Sequence, residues 1–232
     1  MQSLRQKEIL EILYQKGQVS VSELANTLYV TEMTIRRDLT EMEKGGFLRR
    51  YRGGAVLKIN IGEMPISERL LMDRQEKEEL ASKCVEYLSD GMTVFIDSSS
   101  TCQYVIPYLA QYKNVKVVTN SISALLTISK LHISSILIGG EYYEQDMCAV
   151  GSLAERYVSE LNVDVAFFTT AGISHDGVIS DFDIKQTAIR KIVMKNASKN
   201  VFLFEKEKFG KKFLYTLCTK KDATAVLIAD EK

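Results

Sequence analysis

The sequence predicts a two-domain α/β protein: a small winged helix-turn-helix over residues 1–58, a linker over 59–73, and a mostly parallel α/β domain over 74–232. Three observations predict it. Residues 1–58 carry three stretches of helical apolar spacing and then a basic segment folded about Gly53-Gly54. Beyond Asp73, six short apolar runs recur with helical stretches between most of them, the pattern of parallel strands joined through helices. The length of 232 residues exceeds the roughly 100 to 150 of a typical domain and leaves room for two cores.

The first helix is read from Leu4, Ile9, Ile12 and Leu13, with Gly17 as its stop. Ser20-Val21-Ser22-Glu23 has the form of a capping box, in which a serine hydroxyl and a glutamate three residues on satisfy free amides at a helix start. It opens a second, short helix with Leu24, Ala25 and Leu28 inward. After a turn at Tyr29-Val30, Thr31 caps a third helix running from Glu32 to Lys44, ended by Gly45-Gly46. There Ile35, Leu39 and Met42 share one face, and at about 100° per residue Met33, Arg37, Thr40 and Lys44 fall opposite. Thr31, Glu32, Thr34 and Arg36 surround its N-terminal end, the part of a recognition helix that meets base edges in a major groove. Arginine's planar fork spans two acceptors of a guanine, and threonine reaches phosphates or thymine methyls. Phe47 to Arg52 reads as a strand, Gly53-Gly54 as the turn and Ala55 to Leu57 as the return strand, and Arg49, Arg50 and Arg52 suit a wing that grips the phosphate backbone.

Composition agrees with a soluble globular chain: 46% hydrophobic, 26% charged and two prolines. No apolar run approaches the roughly 20 residues of a membrane span, and the N-terminus alternates charge with apolar residues, so a cytoplasmic protein without membrane association is expected. Cys84, Cys102, Cys148 and Cys218 are scattered and His132 and His175 are the only histidines. No metal or cofactor is therefore expected, and reduced, mostly buried thiols are. The net charge of zero hides an asymmetry, because residues 1–58 hold ten Lys/Arg against seven Asp/Glu. Arg36, Arg37, Lys44, Arg49, Arg50 and Arg52 lie within seventeen residues, and a concentrated basic face points to a polyanion.

In the second domain a helix with Leu80, Cys84, Val85 and Leu88 ends at Asp90-Gly91. The strands are read at Thr93–Ile96, Val115–Val118, Ile136–Ile138, Val165–Phe168, Val201–Phe204 and Ala225–Ile228. Ligands of such sheets sit beyond the carboxyl ends of the strands. At those ends the chain places Asp97-Ser98-Ser99-Ser100-Thr101 running into a helix, then Thr119-Asn120-Ser121, Gly139-Gly140 and Thr169-Thr170-Ala171-Gly172. Hydroxyls and free amides at a helix start hold anions, so a small anionic metabolite is expected, although the same residue types also cap helices.

Three runs together resemble the N-terminal signature of the DeoR family of bacterial regulators: Val19-Ser20-Val21-Ser22-Glu23-Leu24-Ala25, Val30-Thr31-Glu32-Met33-Thr34-Ile35-Arg36-Arg37-Asp38-Leu39, and Gly46-Phe47-Leu48-Arg49-Arg50-Tyr51-Arg52-Gly53-Gly54-Ala55. Arg52 stands where histidine is usual. The resemblance continues at Asp97 to Thr101, Thr119-Asn120, Gly139-Gly140, Gly151, Gly172-Ile173 with Gly177, and Lys208-Phe209-Gly210. It implies a repressor of a sugar or carbohydrate operon, with a C-terminal domain similar to sugar-phosphate isomerases that binds a phosphorylated sugar-type effector. Double-stranded operator DNA is the expected partner. A homodimer or higher homo-oligomer is expected because one small recognition helix buries too little surface for tight, specific control.

The expected DNA contacts are Thr31, Glu32, Met33, Thr34, Arg36, Arg37, Thr40, Lys44, Arg49, Arg50 and Arg52. The expected effector contacts are Asp97, Ser98, Ser99, Ser100, Thr101, Thr119, Asn120, Gly139, Gly140, Gly172 and Lys208. Departures from the family pattern are Ser99 for glycine, Ser100 for threonine, Gln186 for glutamate, Arg190 for lysine and Glu205 for aspartate. Ser99 is expected to restrict its loop, since glycine gives the backbone freer approach to a phosphate. An enzyme is one alternative, with Asp97, Asp181, Asp183 and Glu205 as acid-base candidates. Gln186 removes one carboxylate and neither histidine has an evident partner, so a regulator and not an enzyme is expected. A DNA binder with a decayed sensor is the other alternative, motivated by Ser99 and Gln186. Cys102 at the helix start invites redox sensing, with a buried structural thiol as the plainer expectation.

Overall fold

The computed structural model describes residues 4–16, 18–44, 47–57 and 64–229. The helix stops read at Gly17 and Gly45-Gly46, the domain end at Lys58 and the linker residues 59–63 lie outside the described residues. The chain divides into two compact units, Met1–Met64 and Pro65–Lys232.

The first unit runs α1 (Leu4–Lys16), β1 (Gln18–Ser20), α2 (Val21–Thr27), α3 (Glu32–Lys44), β2 (Leu48–Tyr51) and β3 (Gly54–Leu57). Ser20 Oγ accepts from the Glu23 amide at 3.1 Å and Thr31 Oγ1 from the Thr34 amide at 3.3 Å, so α2 and α3 start where their capping residues stand. Ile9, Leu13, Leu24, Ile35, Leu39 and Leu48 are fully buried in one core, each worth about 1.5 to 3 kcal/mol relative to exposure.

Strand β1 is too short for its period to be read, and it completes a three-stranded antiparallel sheet in the order β1-β3-β2. It also corrects the hairpin. The turn is Arg52-Gly53, with Gly53 at φ +100°, and Gly54 already belongs to β3, paired with Tyr51. A Cβ at Gly54 would lie 2.4 Å from the Val19 carbonyl of β1, so the second glycine is required by close approach of that strand and not by the turn. Asp38 is 4% exposed and is held by Arg5, whose Nε and Nη2 lie 2.5 and 3.2 Å from its oxygens. Arg5→Ala leaves that buried carboxylate without its charged donor, and a loss of roughly 1 to 3 kcal/mol is expected. Hydrogen exchange of the α3 amides measures it, and unchanged protection would contradict the pairing.

The second unit contains α4 (Ile66–Arg69), α5 (Arg74–Lys83), β4 (Thr93–Ile96), α6 (Ser100–Gln103), α7 (Ile106–Leu109), β5 (Lys116–Thr119) and α8 (Ile122–Lys130). It continues through β6 (Ser134–Leu137), β7 (Glu141–Tyr143), β8 (Cys148–Val150), α9 (Ser152–Ser159), β9 (Val163–Phe168), β10 (Gly172–Ile173) and β11 (Val178–Asp181). It closes with α10 (Ile184–Asn196), β12 (Ala197–Phe204), β13 (Tyr215–Thr219) and β14 (Ala225–Ile228). The six apolar runs form one parallel sheet in the order β14-β12-β9-β4-β5-β6.

Alternate residues of its central strands enter two separate cores, Val94, Ile96, Val165 and Phe167 on one face and Phe95, Ala166, Phe168 and Phe202 on the other. Both faces are covered, which is why these strands read as continuous apolar runs. Phe95, Phe168, Phe202 and Phe204 form a ladder with successive ring centroids 5.9, 5.2 and 6.3 Å apart. Residues 65–73, the last part of the expected linker, pack back on this unit: Ile66 is 1% exposed and its amide donates to the Gln145 carbonyl at 2.8 Å. Gly172 does not end a strand of the main sheet. It lies in β10, part of an antiparallel sheet β10-β11-β13.

Candidate functional site

On α3, Met33 is 78% exposed, and the Arg36, Arg37 and Lys44 side chains are exposed with it. Arg36 pairs with Glu32 at 3.0 Å and Arg37 with Glu41 at 3.6 Å, both one turn apart on the surface. Such pairs are weak and leave both guanidinium groups available to an outside anion. Thr40 and Arg50 are placed differently from the expectation. Thr40 is half-buried, donating to the Arg36 carbonyl at 2.7 Å and accepting from Arg50 Nη1 at 2.6 Å. The Arg50 amide donates to Glu43 Oε1 at 2.8 Å. These two residues tie the wing to α3, whereas Arg52 stands exposed in the hairpin turn. The backbone of Arg49 pairs with Val56 in the hairpin.

In the second unit the strand order reverses between β4 and β9, a topological switch point, where ligand crevices of open α/β sheets form. The residues around it form a buried polar network. Arg190 on α10 is 5% exposed and reaches Asp97 beyond β4 through Nε at 3.2 Å and Nη2 at 3.1 Å. Its Nη1 donates to Asp181 at 2.7 Å and its Nη2 to Gln186 Oε1 at 2.8 Å. Burial opposes the charge on Arg190, but Asp97 and Asp181 outweigh it and raise its pKa.

Gln186 Oε1 also accepts from Ser98 Oγ at 2.9 Å, and Gln186 Nε2 donates to Asp146, which is paired in turn with Arg69. A second branch runs through Glu205 beyond β12, which accepts from Thr101 Oγ1 at 2.6 Å. Lys208 Nζ lies 2.8 Å and Lys77 Nζ 3.9 Å from the same carboxylate. Lys208 also donates to Thr169 at 3.1 Å, and Lys77 to the carbonyls of Arg69 at 2.5 Å and Met72 at 2.8 Å.

Burial alone would raise the Glu205 carboxyl, but Lys208 and Lys77 more than offset it and hold it at about 2. Burial pulls the Lys77 ammonium down to about 8 despite Glu205. Arg69, Lys77 and Asp146 carried no sequence signal as site residues, because Arg69 lay in the segment read as linker and the other two in segments without a recognisable motif.

The structure accounts for three of the five family departures, Gln186, Arg190 and Ser99. A glutamine amide can accept from Ser98 and Arg190 at one atom and donate to Asp146 at the other, whereas a carboxylate would face Asp146 without a proton to give. Arg190 serves three acceptor residues through a planar fork that a lysine ammonium lacks. Ser99 has φ −75° and ψ 152°, ordinary extended backbone, and its Oγ accepts from the Cys102 amide at 3.2 Å. The loop therefore has no need of glycine there, which corrects the expected restriction. The helix it enters, α6, is a single turn, so charge at this edge comes from side chains more than from a helix dipole.

Asp97, Ser98, Ser99, Ser100 and Thr101 are all at most 5% exposed. Thr119 Oγ1 donates to the Ile96 carbonyl at 2.7 Å, and Asn120 Nδ2 to the Ala149 carbonyl at 2.9 Å. Asn120 Oδ1 and Gln103 Nε2 are buried at this edge without a hydrogen-bond partner. Gly139 and Gly140 are exposed; a Cβ at Gly140 would lie 2.6 Å from the Val150 carbonyl, and one at Gly172 would lie 2.9 Å from Lys211. Gly140 and Gly172 thus have packing reasons to be glycine. His175 is exposed, edge-on to Phe209 at 5.0 Å. Cys102 is fully buried, and burial pushes its thiol well above the ordinary range, which disfavours the thiolate that redox sensing needs.

A capped recognition helix with a basic wing, followed in the chain by an α/β unit with a polar switch point, is the build of a DNA-binding transcriptional regulator. Residues 5–59 match the DeoR-like helix-turn-helix domain and residues 72–231 the DeoR C terminal sensor domain. The chain belongs to the DeoR family. It is 30% identical over 211 residues to the glycerol-3-phosphate regulon repressor of Escherichia coli (strain K12), covering 90% of this chain and 84% of that protein. It is 28% identical to the lactose phosphotransferase system repressor of Staphylococcus epidermidis (strain ATCC 12228), covering 96% and 90%. Among solved structures, eIF2B delta from Chaetomium thermophilum shares the fold at TM-score 0.51 and 13% identity, over 72% of this chain and 59% of that one. Ribose 5-phosphate isomerase from Plasmodium falciparum aligns at TM-score 0.43 and 19% identity, over 60% and 53%.

The ionic network makes stability acid-sensitive with a definite sign. The Glu205 carboxyl is lowered from 4.5 to about 2 on folding, so its contribution is present above pH 4.5 and is lost as pH falls through that window. It amounts to on the order of 3 kcal/mol at about 1.4 kcal/mol per unit. The stability gap between the wild type and Glu205→Gln, measured by denaturant titration, should narrow as pH falls from 4.5 toward 2. A gap constant across that range would contradict the ion pairing.

Proposed function

We propose that the chain is a repressor of a sugar or carbohydrate operon, and that a small phosphorylated, sugar-type metabolite binds at the carboxyl edge of its sheet and changes its affinity for double-stranded operator DNA. The observation that carries this reading is the pair of unpartnered buried amide atoms, Asn120 Oδ1 and Gln103 Nε2, at the edge that also holds the Glu205–Lys208 pair. A buried polar atom without a partner costs about 1 to 3 kcal/mol, and sugar hydroxyls are suited to satisfy one acceptor and one donor. A phosphate would compete with Glu205 for Lys208. The names of the relatives, a glycerol-3-phosphate regulon repressor and a lactose phosphotransferase system repressor, support the effector class.

Coupling has a route in the same network. Displacing Glu205 disturbs Lys77, which grips the carbonyls of Arg69 and Met72, and Ser98 connects through Gln186 and Asp146 to the Arg69 side chain. Arg69 ends α4, the first element after the boundary at Met64. Typical coupling of about 1 to 3 kcal/mol changes operator affinity some 5- to 150-fold. A non-catalytic role is supported by the same geometry: Asp97 and Asp181 are committed to Arg190, Glu205 to two lysines and Asp183 to the Gln186 amide as the cap of α10, leaving none of the four as a free base for isomerisation. We place the effector at Asp97 to Thr101, Thr119, Asn120 and Lys208, and the DNA at the exposed face of α3 and at Arg52, with the chain acting as a homo-oligomer.

Calorimetry with pentose, hexose and triose phosphates tests the site, followed by operator titration with and without any ligand found. Lys208→Ala should weaken that ligand by about tenfold or more, the worth of one charge-assisted hydrogen bond. If Lys208→Ala and Ser99→Gly both leave its affinity unchanged, the site is elsewhere. For DNA, about three phosphate contacts per subunit in a dimer give log K falling with log salt at a slope near −5. Arg37→Ala should cost about 1 to 3 kcal/mol and relax preference at one position of each half-site, and a salt slope near zero would refute the interface.

A further inference from the structure

Helix α2 ends in a cap that normally demands glycine. Leu28 is its C-cap, the Val30 amide returns to the Ala25 carbonyl at 3.1 Å, and the residue between them, Tyr29, has φ 53°. This is the position of a Schellman cap that requires left-handed backbone, where glycine is usual because other residues suffer Cβ crowding. Leu28 and Val30 pack on the core on either side, so the chain cannot relax away from the strained conformation.

The side chain returns nothing within its own chain for that strain. Tyr29 is 95% exposed, the most exposed of the large apolar side chains among the described residues. The other non-glycine residues with positive φ do not share this combination. Asp73, Asn114 and His132 belong to the residue types that tolerate the left-handed region, and Met147 is half-buried in a hydrogen-bonded turn. Tyr29 stands two residues before Thr31, the exposed cap of the recognition helix, whose hydroxyl lies 2.9 Å from that of Thr34.

We infer that Tyr29 is an operator contact, its phenol hydroxyl donating to a backbone phosphate at the rim of the major groove that α3 enters. The occupant is DNA because the residue is continuous with the N-terminal end of α3, the part of a recognition helix that docks closest to base pairs. Tyrosine hydroxyls are among the groups that position a protein on phosphate oxygens. A neutral donor displaces no counterion, so this contact adds affinity without adding to the salt slope. It fixes the recognition helix on the duplex and carries no base preference of its own. The inference rests on DNA binding by α3 and is independent of the effector site.

The test uses the full chain and a duplex that the wild type itself selects from a random-sequence pool. Tyr29→Gly should raise the thermal midpoint, because strain is removed, and weaken that duplex by about tenfold, the worth of one hydrogen bond to a charged group. Tyr29→Phe keeps the ring and the strain but not the hydroxyl, and should weaken the duplex by a similar factor with an unchanged midpoint. Both variants should keep the wild-type salt slope and base preference. Four results would overturn the assignment: a raised midpoint with affinity within twofold of wild type, a lowered midpoint (revealing an internal contact), a changed base preference, or weakened self-association in the absence of DNA. If the wild type selects no duplex, the inference falls together with DNA binding by α3, a failure distinct from the loss of Tyr29's contact alone.

Discussion

The second unit depends on keeping one guanidinium charged where almost no water reaches it. Arg190 lies beneath the carboxyl edge of the sheet, and its fork reaches Asp97 from β4, Asp181 from β11 and Gln186 one turn earlier on its own helix. Such a group is costly to bury and far more costly to leave unpaired, so the three partners are held in place as firmly as Arg190 is. The loop after β4 is thereby fixed from below. Its serines and threonine can then face the edge of the sheet in one arrangement, whereas a loop of small polar residues alone would sample many.

The polar contacts at this edge form two branches, of which only the first starts at that guanidinium. One passes through Gln186 to Ser98 and to Asp146, and so to Arg69. The other, through Thr101 and Glu205, reaches Lys208 and Lys77. Both end on α4 or on the turn behind it, where Asp73 holds left-handed backbone at φ 45°. The formal charges of Arg69, Lys77, Arg190 and Lys208 are balanced by Asp97, Asp146, Asp181 and Glu205. An anion entering at this edge would therefore have to redistribute existing ion pairs. The first unit has a smaller version of the same economy in Arg5 and Asp38, which fix α1 against the recognition helix from its buried side.

Elements whose signal is local were legible in the sequence. The caps at Ser20 and Thr31 and the inward face Ile35-Leu39-Met42 act within a turn or two of chain, and the central parallel strands announce themselves because both of their faces are buried. The wing's turn was misplaced because Gly54 owes its identity to β1, a strand with no periodicity to read. Gly172 is expected in the loop after the Val165–Phe168 strand, because such a loop and a short antiparallel strand look alike in a run of small residues. The run Asp97 to Thr101 is legible as a loop, but its partners are not. Arg190 meets Asp97 across 93 positions and Arg69 meets Asp146 across 77, and no local pattern encodes such pairs. Ser99 and Gln186 looked like losses of function for the same reason: their justification lies in the extended backbone at 99 and in the Asp146 carboxylate across the fold.

Residues 97–101 and the segment that follows the DNA-binding unit in the chain share one network with Gln186 as its junction. Hydrogen–deuterium exchange of Gln186→Leu tests it most directly, because leucine keeps the bulk and removes both hydrogen-bonding ends. Exchange should quicken in residues 65–72 and 97–103 together, with the β4 and β9 amides protected as in the wild type. Loosening of residues 97–103 with 65–72 unchanged, or of neither, would contradict it.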